Sequence, residues 1–173
     1  MRSLALALLL GLAWLGCDGA PGGSRAGESG PPAPDFTLTS LSGKPVTLSE
    51  FAGKTVIIDF WATWCPPCVF QVPELNKLHE AHQAGGDLVV IGVAVDVEGE
   101  SVVRPWAEEN SIAYTVVLGD EKLATRFGAV GFPTLVVVRP DGSIDSLHVG
   151  LIEYDTLEEL VAAAAAASAT RST

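Results

Sequence analysis

Two of the three cysteines in the 173-residue chain stand three positions apart, as Cys65 and Cys68, with Pro66 and Pro67 between them. Three cysteines are too few for a disulfide framework, so this spacing favours cysteine chemistry over a structural staple. The pair could form a reversible disulfide, or it could supply two thiolate ligands to a metal ion. The elements that position the pair help to decide between these possibilities.

A strand and a helix are predicted on either side of the pair. Residues 54–61, KTVIIDFW, form a nearly continuous apolar and β-branched run, which is typical of a central strand covered on both faces. Pro66 and Pro67 are predicted to open a helix, because proline is tolerated in the first turn, where backbone N–H groups have no helical partner. The glycines at 85–86 are expected to end this helix.

The remaining elements follow from apolar periodicity, turn residues and caps. They are a hairpin of strands 36–39 and 46–48, a turn over 48–51, a strand over 88–95, a helix over 101–110 capped by Ser101, a strand over 114–118, a helix capped by Asp120 and reaching 127, a hairpin of strands 135–138 and 144–149, and a last helix capped by Asp155 and Thr156 that fades out in the alanines at 162–167. This order indicates an α/β fold with a central mixed β-sheet and helices on both faces.

The charge balance is strongly acidic, with 21 Asp and Glu against 10 Lys and Arg and a formal net charge of −11. Binding to a nucleic acid backbone needs a positively charged face, and the chain has no cluster of basic residues. We therefore expect no nucleic acid partner.

The first 16 residues have the pattern of an export signal. Arg2 is followed by an uncharged apolar run over 4–15, which is too short to span a membrane. Gly16 and Cys17 resemble the cleavage site of bacterial lipoproteins. This resemblance implies that Cys17 becomes the lipidated first residue of an exported, cell-envelope protein.

Four segments are assigned along the chain. Residues 1–16 are the signal peptide, and residues 17–34, rich in Gly and Pro, are a flexible linker that tethers the protein to the membrane through its lipid anchor. Residues 35–167 are the folded domain, and residues 168–173 are a tail.

The residues 56–68, VIIDFWATWCPPC, and the later Gly131-Phe132-Pro133-Thr134 resemble the thioredoxin superfamily, in particular the membrane-tethered TlpA/ResA-type thiol–disulfide oxidoreductases. The resemblance covers roughly residues 34–165. It implies a thioredoxin fold with an N-terminal β-hairpin and a helix–strand insertion between residues 96 and 119. It also implies protein thiols and disulfides as substrates, and no cofactor besides a redox-active disulfide.

The two cysteines are expected to have different roles. Cys65 lies at a helix N-terminus, whose partial positive charge stabilises a thiolate, so it is the expected nucleophile. Cys68 lies one turn deeper on the same face and is expected to resolve the mixed disulfide. Because Pro66 and Pro67 lack N–H groups, only the Cys68 amide could donate to the Cys65 sulfur within the loop. A moderately stabilised thiolate predicts a potential toward the reducing end of the range from ~−270 mV for thioredoxin to ~−120 mV for DsbA.

Asp59 is a charged residue inside the predicted central strand, where burial should raise its pKa. It matches the buried acid of thioredoxin, and this match implies that Asp59 acts as a general base on Cys68. TlpA/ResA-type proteins often have Asn at this place and Glu at the place of Gln71. We expect Asp59→Asn to slow turnover and Gln71→Ala to affect turnover little.

Three further residues are assigned to substrate binding. The resemblance implies that Pro133 is the cis-proline that faces the cysteines. The Phe132 backbone would then be free to pair with an extended substrate strand. Trp64 is expected to shield one side of the site, whereas Trp61 is expected to pack in the core.

A metal site is the main alternative from another class of function. His79 and His82 have ligand spacing, but an unbroken helix would put Cys68 and His79 about 16 Å apart along its axis. Copper delivery, as by Sco proteins, would need a histidine near the cysteines, for which His148 is the candidate. We therefore predict no metal ligands.

The direction of electron flow stays open at this stage, because a disulfide oxidase or isomerase of exported proteins would use the same residues. A thiol peroxidase is disfavoured, since its Pro-x-x-x-Thr-x-x-Cys pattern would require Thr where Ala62 stands. We favour a reductant that is recharged by a membrane electron donor, with apocytochrome c cysteines as a candidate substrate.

Overall fold

Residues 30–169, the part of the chain that the computed structural model describes, form seven strands, four α-helices and one 3₁₀ helix. The elements in chain order are β1 (Thr37–Thr39), β2 (Pro45–Thr47), the 3₁₀ helix (Leu48–Phe51), β3 (Thr55–Trp61), α1 (Cys68–His82), β4 (Leu88–Ala94), α2 (Glu100–Glu109), β5 (Thr115–Leu118), α3 (Glu121–Arg126), β6 (Thr134–Val138), β7 (Ile144–Val149) and α4 (Tyr154–Ala169).

Strand β3 is the middle strand of a five-stranded sheet with the order β5-β4-β3-β6-β7. It pairs in parallel with β4 and antiparallel with β6, and each of its seven residues is buried. This confirms the prediction of a central strand, and it explains the apolar run, because a strand covered on both faces has no polar side.

Helices cover both faces of the sheet. On one face, Ile57 packs with Leu75 of α1 and Leu157 of α4. On the other face, Phe60 packs against Phe127 at the end of α3, with ring centroids 5.3 Å apart. The predicted α/β fold with a mixed sheet is confirmed.

The predicted N-terminal hairpin is present as a separate two-stranded sheet of β1 and β2. Phe36 and Leu48 from this region are buried in the same cluster as Phe60 and Phe127. Helix α2 and strand β5 follow β4, as predicted for the helix–strand insertion, and β5 forms the edge of the five-stranded sheet.

The predicted starts of α1 and α2 are corrected. Helix α1 begins at Cys68, one residue after the prolines, and Pro67 already has a helical backbone with φ −68° and ψ −19°. Ser101 is not a cap, because α2 begins at Glu100 and the Ser101 hydroxyl donates to the carbonyl of Glu98. The predicted cap of α3 is confirmed, since Asp120 Oδ1 accepts from the Leu123 amide at 2.7 Å.

The last helix is longer than predicted at both ends. It begins at Tyr154, whose amide donates to Glu74 Oε2 of α1 at 2.9 Å, so Asp155 and Thr156 lie inside its first turn. It continues through the alanines to Ala169 rather than fading out. Alanine is the strongest helix former, and Ala164 is fully buried against the core, so this end is held by packing as well as by propensity.

The predicted domain boundary at residue 35 lies within a stretch that is bonded to the sheet. The Ile144 amide donates to the Pro31 carbonyl, and the Ala33 amide donates to the Gly142 carbonyl, both at 2.9 Å. Residues 31–33 therefore lie along the start of β7 and do not belong to the linker. The predicted signal peptide, Cys17, most of the linker and the last four residues of the tail lie outside the described residues. Within residues 30–169, no helix has the length and apolar character needed to cross a membrane.

Candidate active site

Cys65 and Cys68 form a disulfide in the loop that joins β3 to α1, with an S–S distance of 2.06 Å and Cα atoms 5.5 Å apart. The Cys65 amide donates to the Ala62 carbonyl, and the Cys68 amide donates to the Cys65 carbonyl, both at 3.1 Å. In this oxidised form the Cys68 amide, the one loop donor that could reach the Cys65 sulfur, is therefore bonded to a carbonyl oxygen. The two prolines supply no other donor in the loop.

Only one of the two cysteines faces a groove in the surface. Cys65 lines a cavity of about 680 Å³, whereas Cys68 does not line it and is 2% exposed. One wall of this groove is the loop 64–67, and the other is formed by residues 129–132 and by α3. Cys65 is itself only 4% exposed, so it is its place in the groove lining, and not its exposure, that marks it as the sulfur a substrate can approach.

The groove offers little positive charge to a thiolate. Its lining contains no Lys, Arg or His, and its one charged side chain is Glu121 at the start of α3. A Cys65 thiolate would therefore depend mainly on the nearby N-terminus of α1 for stabilisation.

Pro133 lies in the loop that forms the second wall of the groove. The Phe132–Pro133 peptide bond is cis, as the resemblance implied. The Phe132 ring meets the Trp64 indole edge to face, with centroids 5.7 Å apart. The structure thus brings Trp64, Cys65 and Phe132 together around one groove, next to Pro133.

Asp59 lies in β3, between Gly92 of β4 and Leu135 of β6. Side chains alternate along a strand, so Asp59 points to the same face as Ile57, the face that α1 covers. Burial raises the pKa of Asp59 to about 7, and within the described residues its Oδ1 has no hydrogen-bond partner. A carboxyl group with this pKa can both take up and release a proton near neutral pH.

Trp61 packs in the core, as predicted, because its indole stacks on Trp106 with centroids 4.5 Å apart. This packing requires a glycine at position 92 of β4, which pairs with Asp59. A Cβ on Gly92 would lie 2.9 Å from Trp61 Nε1 and 3.0 Å from Tyr114 Cε2.

A contact between Asp96 and Thr63 was missed by the sequence analysis. The buried Asp96 carboxylate, just after β4, accepts from the Thr63 amide at 3.1–3.2 Å and from the Thr63 hydroxyl at 2.5 Å. Thr63 lies two residues before Cys65, so this contact holds the start of the cysteine loop. The sequence did contain a signal for this contact, because Asp96 is an acid at the carboxyl end of β4, a strand parallel to β3.

Gln71 is fully buried in α1, one turn after Cys68. Its Oε1 accepts from the Ile152 amide at 2.9 Å, and its Nε2 donates to the Ile152 carbonyl at 3.0 Å. Gln71 thus fixes the segment between β7 and α4 to the helix that carries the cysteines. Nothing in the local sequence of α1 indicated this partner, because it lies 81 residues further along the chain.

The histidines of the metal alternative have other neighbours. His82 Nε2 lies 3.0 Å from Glu158 Oε2, and His148 Nε2 lies 3.0 Å from Ser146 Oγ. Within residues 30–169, no group of three or more His, Cys, Asp or Glu side chains is arranged to hold a metal ion.

The comparison with known families gives a match over most of the chain, since the model of the AhpC/TSA family covers residues 29–147. The chain belongs to the AhpC/TSA family. It is 31% identical over 134 residues to the thiol-disulfide oxidoreductase ResA of Bacillus thuringiensis subsp. konkukian, which is 76% of either chain. The predicted membership of the thioredoxin superfamily is confirmed.

Solved structures of other proteins show the same fold as this member of the AhpC/TSA family. The thioredoxin domain of a thiol-disulfide oxidoreductase from Bacteroides vulgatus has 30% identity and a TM-score of 0.68, over 78% of this chain and 98% of that one. A thiol:disulfide interchange protein of the thioredoxin family from Chlorobium tepidum has 27% identity and a TM-score of 0.70, over 79% and 97%. The predicted reaction class, thiol–disulfide exchange, is confirmed.

Replacing Gln71 with Ala is expected to destabilise this AhpC/TSA member. The Ile152 amide and carbonyl would both be left buried without a partner, and such groups cost about 1–3 kcal/mol each. Urea unfolding at pH 7 measures the effect, with the exposed Gln83→Ala in the same protein as the matched control. A loss no larger than that of the control, about 0.5 kcal/mol, would contradict the structural role.

Replacing Asp59 with Asn is expected to change how stability depends on pH. Because the pKa is about 7 in the folded protein and 3.8 in the unfolded chain, the folded state binds the extra proton between these values. The contribution of Asp59 to the stability of the unmodified protein should therefore fall as pH rises from about 4 to about 7 and then stay level. At pH 8 the Asn variant should be more stable by on the order of 4 kcal/mol, and the difference should vanish near pH 4.

Urea unfolding over this pH range is the measurement for Asp59, and exposed Glu80→Gln is its control. Parallel pH curves for the Asn variant and the unmodified protein would show that Asp59 is not the buried acid we describe.

Proposed function

We propose that the protein is an exported thiol–disulfide oxidoreductase that works as a reductant of disulfides in other proteins. The observation that supports this direction of electron flow is the lack of positively charged side chains in the groove at Cys65. Among the residues that line it, none is cationic and one is acidic, and the two prolines remove loop amides that could bind a thiolate. A weakly stabilised thiolate favours the disulfide form of the protein and therefore makes its dithiol form reducing.

The reaction begins with the dithiol form of the protein. The Cys65 thiolate attacks one sulfur of the substrate disulfide, which forms a mixed disulfide and releases the first substrate thiolate. The Cys68 thiolate then attacks Cys65 Sγ, which releases the second substrate thiolate and closes the Cys65–Cys68 disulfide. Two electrons pass from the protein to the substrate, and the protein ends in the oxidised form described above.

Asp59 is the proposed proton acceptor for Cys68. Cys68 is buried, so its thiol needs an internal base to become a nucleophile. Asp59 lies on the sheet face that α1 covers, and its pKa of about 7 suits transfer of a proton near neutral pH.

Export and membrane attachment complete the proposal. They rest on the signal pattern of residues 1–16 and on lipidation of Cys17. An oxidising compartment would drive the protein to its disulfide form, so a membrane electron donor must return it to the dithiol. Apocytochrome c cysteines are the candidate substrate, because they must be reduced outside the cytoplasm near the same membrane.

The redox potential tests the direction of electron flow. In dithiothreitol and glutathione buffers, with Trp64 fluorescence and thiol counts as readouts, we expect the purified full-length protein to have a potential nearer ~−270 mV than ~−120 mV. A value near that of DsbA would instead make the protein an oxidase. The absence of any reversible disulfide would contradict the whole reaction class.

Single serine variants test the roles of the two cysteines. With a disulfide-bonded protein substrate, Cys68→Ser is expected to accumulate a mixed disulfide through Cys65, because the resolving thiol is missing. Cys65→Ser is the matched control and should trap nothing, since Cys68 does not line the groove. Mass spectrometry of the non-reduced adducts reads the outcome, and equal trapping by both variants would refute the assignment.

A further inference from the structure

The large apolar side chains that are exposed within residues 30–169 all lie at one end of the molecule. They are Trp64, Val69, Phe70, Val97, Val130, Val149 and Leu151. We call this the disulfide end: it is where β3, β4 and β7 end and where β6 and α1 begin. Single exposed apolar residues are normal on a surface, but their confinement to the end that carries Cys65 indicates a contact surface.

Several of these apolar side chains are more than half exposed. Phe70 is 65% exposed, Trp64 is 58% exposed and Val130 is 88% exposed. The groove beside Cys65, at about 680 Å³, falls within the usual range of about 300–1,000 Å³ for binding pockets. A partner that enters this groove would therefore bury apolar area on both of its walls and beyond them.

The charge at the disulfide end selects among partners. The loops at this end, 62–67, 95–99, 119–120, 127–133 and 150–153, contain acidic residues but no Lys or Arg. Among residues 30–169, the carboxylates of Glu98, Glu121 and Glu153 form no salt bridge. An acid near the start of a helix stabilises that helix whether or not a partner binds. Glu121 differs because it also lines the groove that Cys65 lines.

The basic residues nearest in sequence do not line the groove. Lys122 and Arg126 of α3 line a separate cavity beside the N-terminal hairpin, with Phe36 and Leu38. The Lys77 ammonium lies over the Tyr154 ring, 3.7 Å from its centroid, and Lys77 lines a second cavity with Phe70, Leu151 and Glu153 rather than the groove at Cys65. The groove itself is thus left with unbalanced negative charge.

We propose that the disulfide end binds a polypeptide segment that is apolar and positively charged, with Lys or Arg close to its disulfide. This rests on the proposed function and names its substrate class. The acidic loops disfavour an anionic membrane surface and a second copy of this chain, because either would bring like charges together. Complementary charge acts mainly on the rate of association, and it weakens as salt screens it.

Three synthetic peptides with one intramolecular disulfide and identical apolar residues test the preference. They differ only in the residues that flank the cysteines, which are Lys, Gln or Glu. We expect the reduced full-length protein to reduce the Lys peptide at least tenfold faster than the Glu peptide at low salt, with Gln between them. The ratio should shrink toward one as sodium chloride is raised, and Trp64 fluorescence follows the reaction.

Charge-removing variants locate the effect. Glu121→Gln should reduce the Lys-to-Glu rate ratio severalfold, whereas Glu109→Gln, an exposed acid at the far end of α2, should leave the ratio unchanged. An equal effect of the two variants would overturn the assignment to the groove.

An uncharged disulfide, bis(2-hydroxyethyl) disulfide, separates this inference from the proposed function. If it and all three peptides are reduced at charge-independent rates, the preference for basic segments is wrong while the reductase stands. If none of these disulfides is reduced, the proposed function itself fails. Preferential binding to phosphatidylglycerol vesicles over phosphatidylcholine vesicles would also overturn the choice of a polypeptide.

Discussion

The burial of β3 on both faces is the constraint on which the rest of the structure depends. Its two partners run in opposite directions, β4 parallel and β6 antiparallel, so the end of β3, the end of β4 and the start of β6 meet at one edge of the sheet. The cysteine loop follows β3, Asp96 follows β4, and Pro133 precedes β6. Residues that are far apart in the chain therefore meet because of strand pairing alone.

The same burial makes an ionised Asp59 unfavourable for the stability of the folded protein. Every other side chain of β3 except Thr55 is apolar, and the carboxyl group has no charge partner to offset its desolvation. A carboxyl group placed there raises its own pKa and lowers stability in the pH range where it ionises. This loss of stability accompanies a useful property. The same burial that destabilises the carboxylate raises its pKa, which makes it a base suited to take a proton from a buried thiol near neutral pH.

The parts of the fold that could be predicted from sequence are those set by local pattern. The apolar run of β3, the turn chemistry before β7 and the cap at Asp120 each depend on neighbouring residues. The start of α4 could not be predicted in this way, since it depends on the bond between the Tyr154 amide and Glu74 of another helix. Gln71 was missed as a structural residue for the same reason, because its partner lies 81 residues away. The partner of Asp96 lies 33 residues away, but the place of this acid at the carboxyl end of a strand was visible in the sequence.

The candidate site likewise has parts that local sequence motifs predict and parts that depend on packing between distant segments. The two cysteines and Pro133 stand in motifs, so their types and order indicated their place, whereas the groove exists only once α3 is packed beside the cysteine loop. That packing also brings Glu121 to the groove. On the proposal above, a cationic substrate segment would neutralise this carboxylate on binding. The acid would then affect both the redox potential and the choice of substrate, because a matching partner in the groove would add to the stabilisation that the N-terminus of α1 gives the nucleophile.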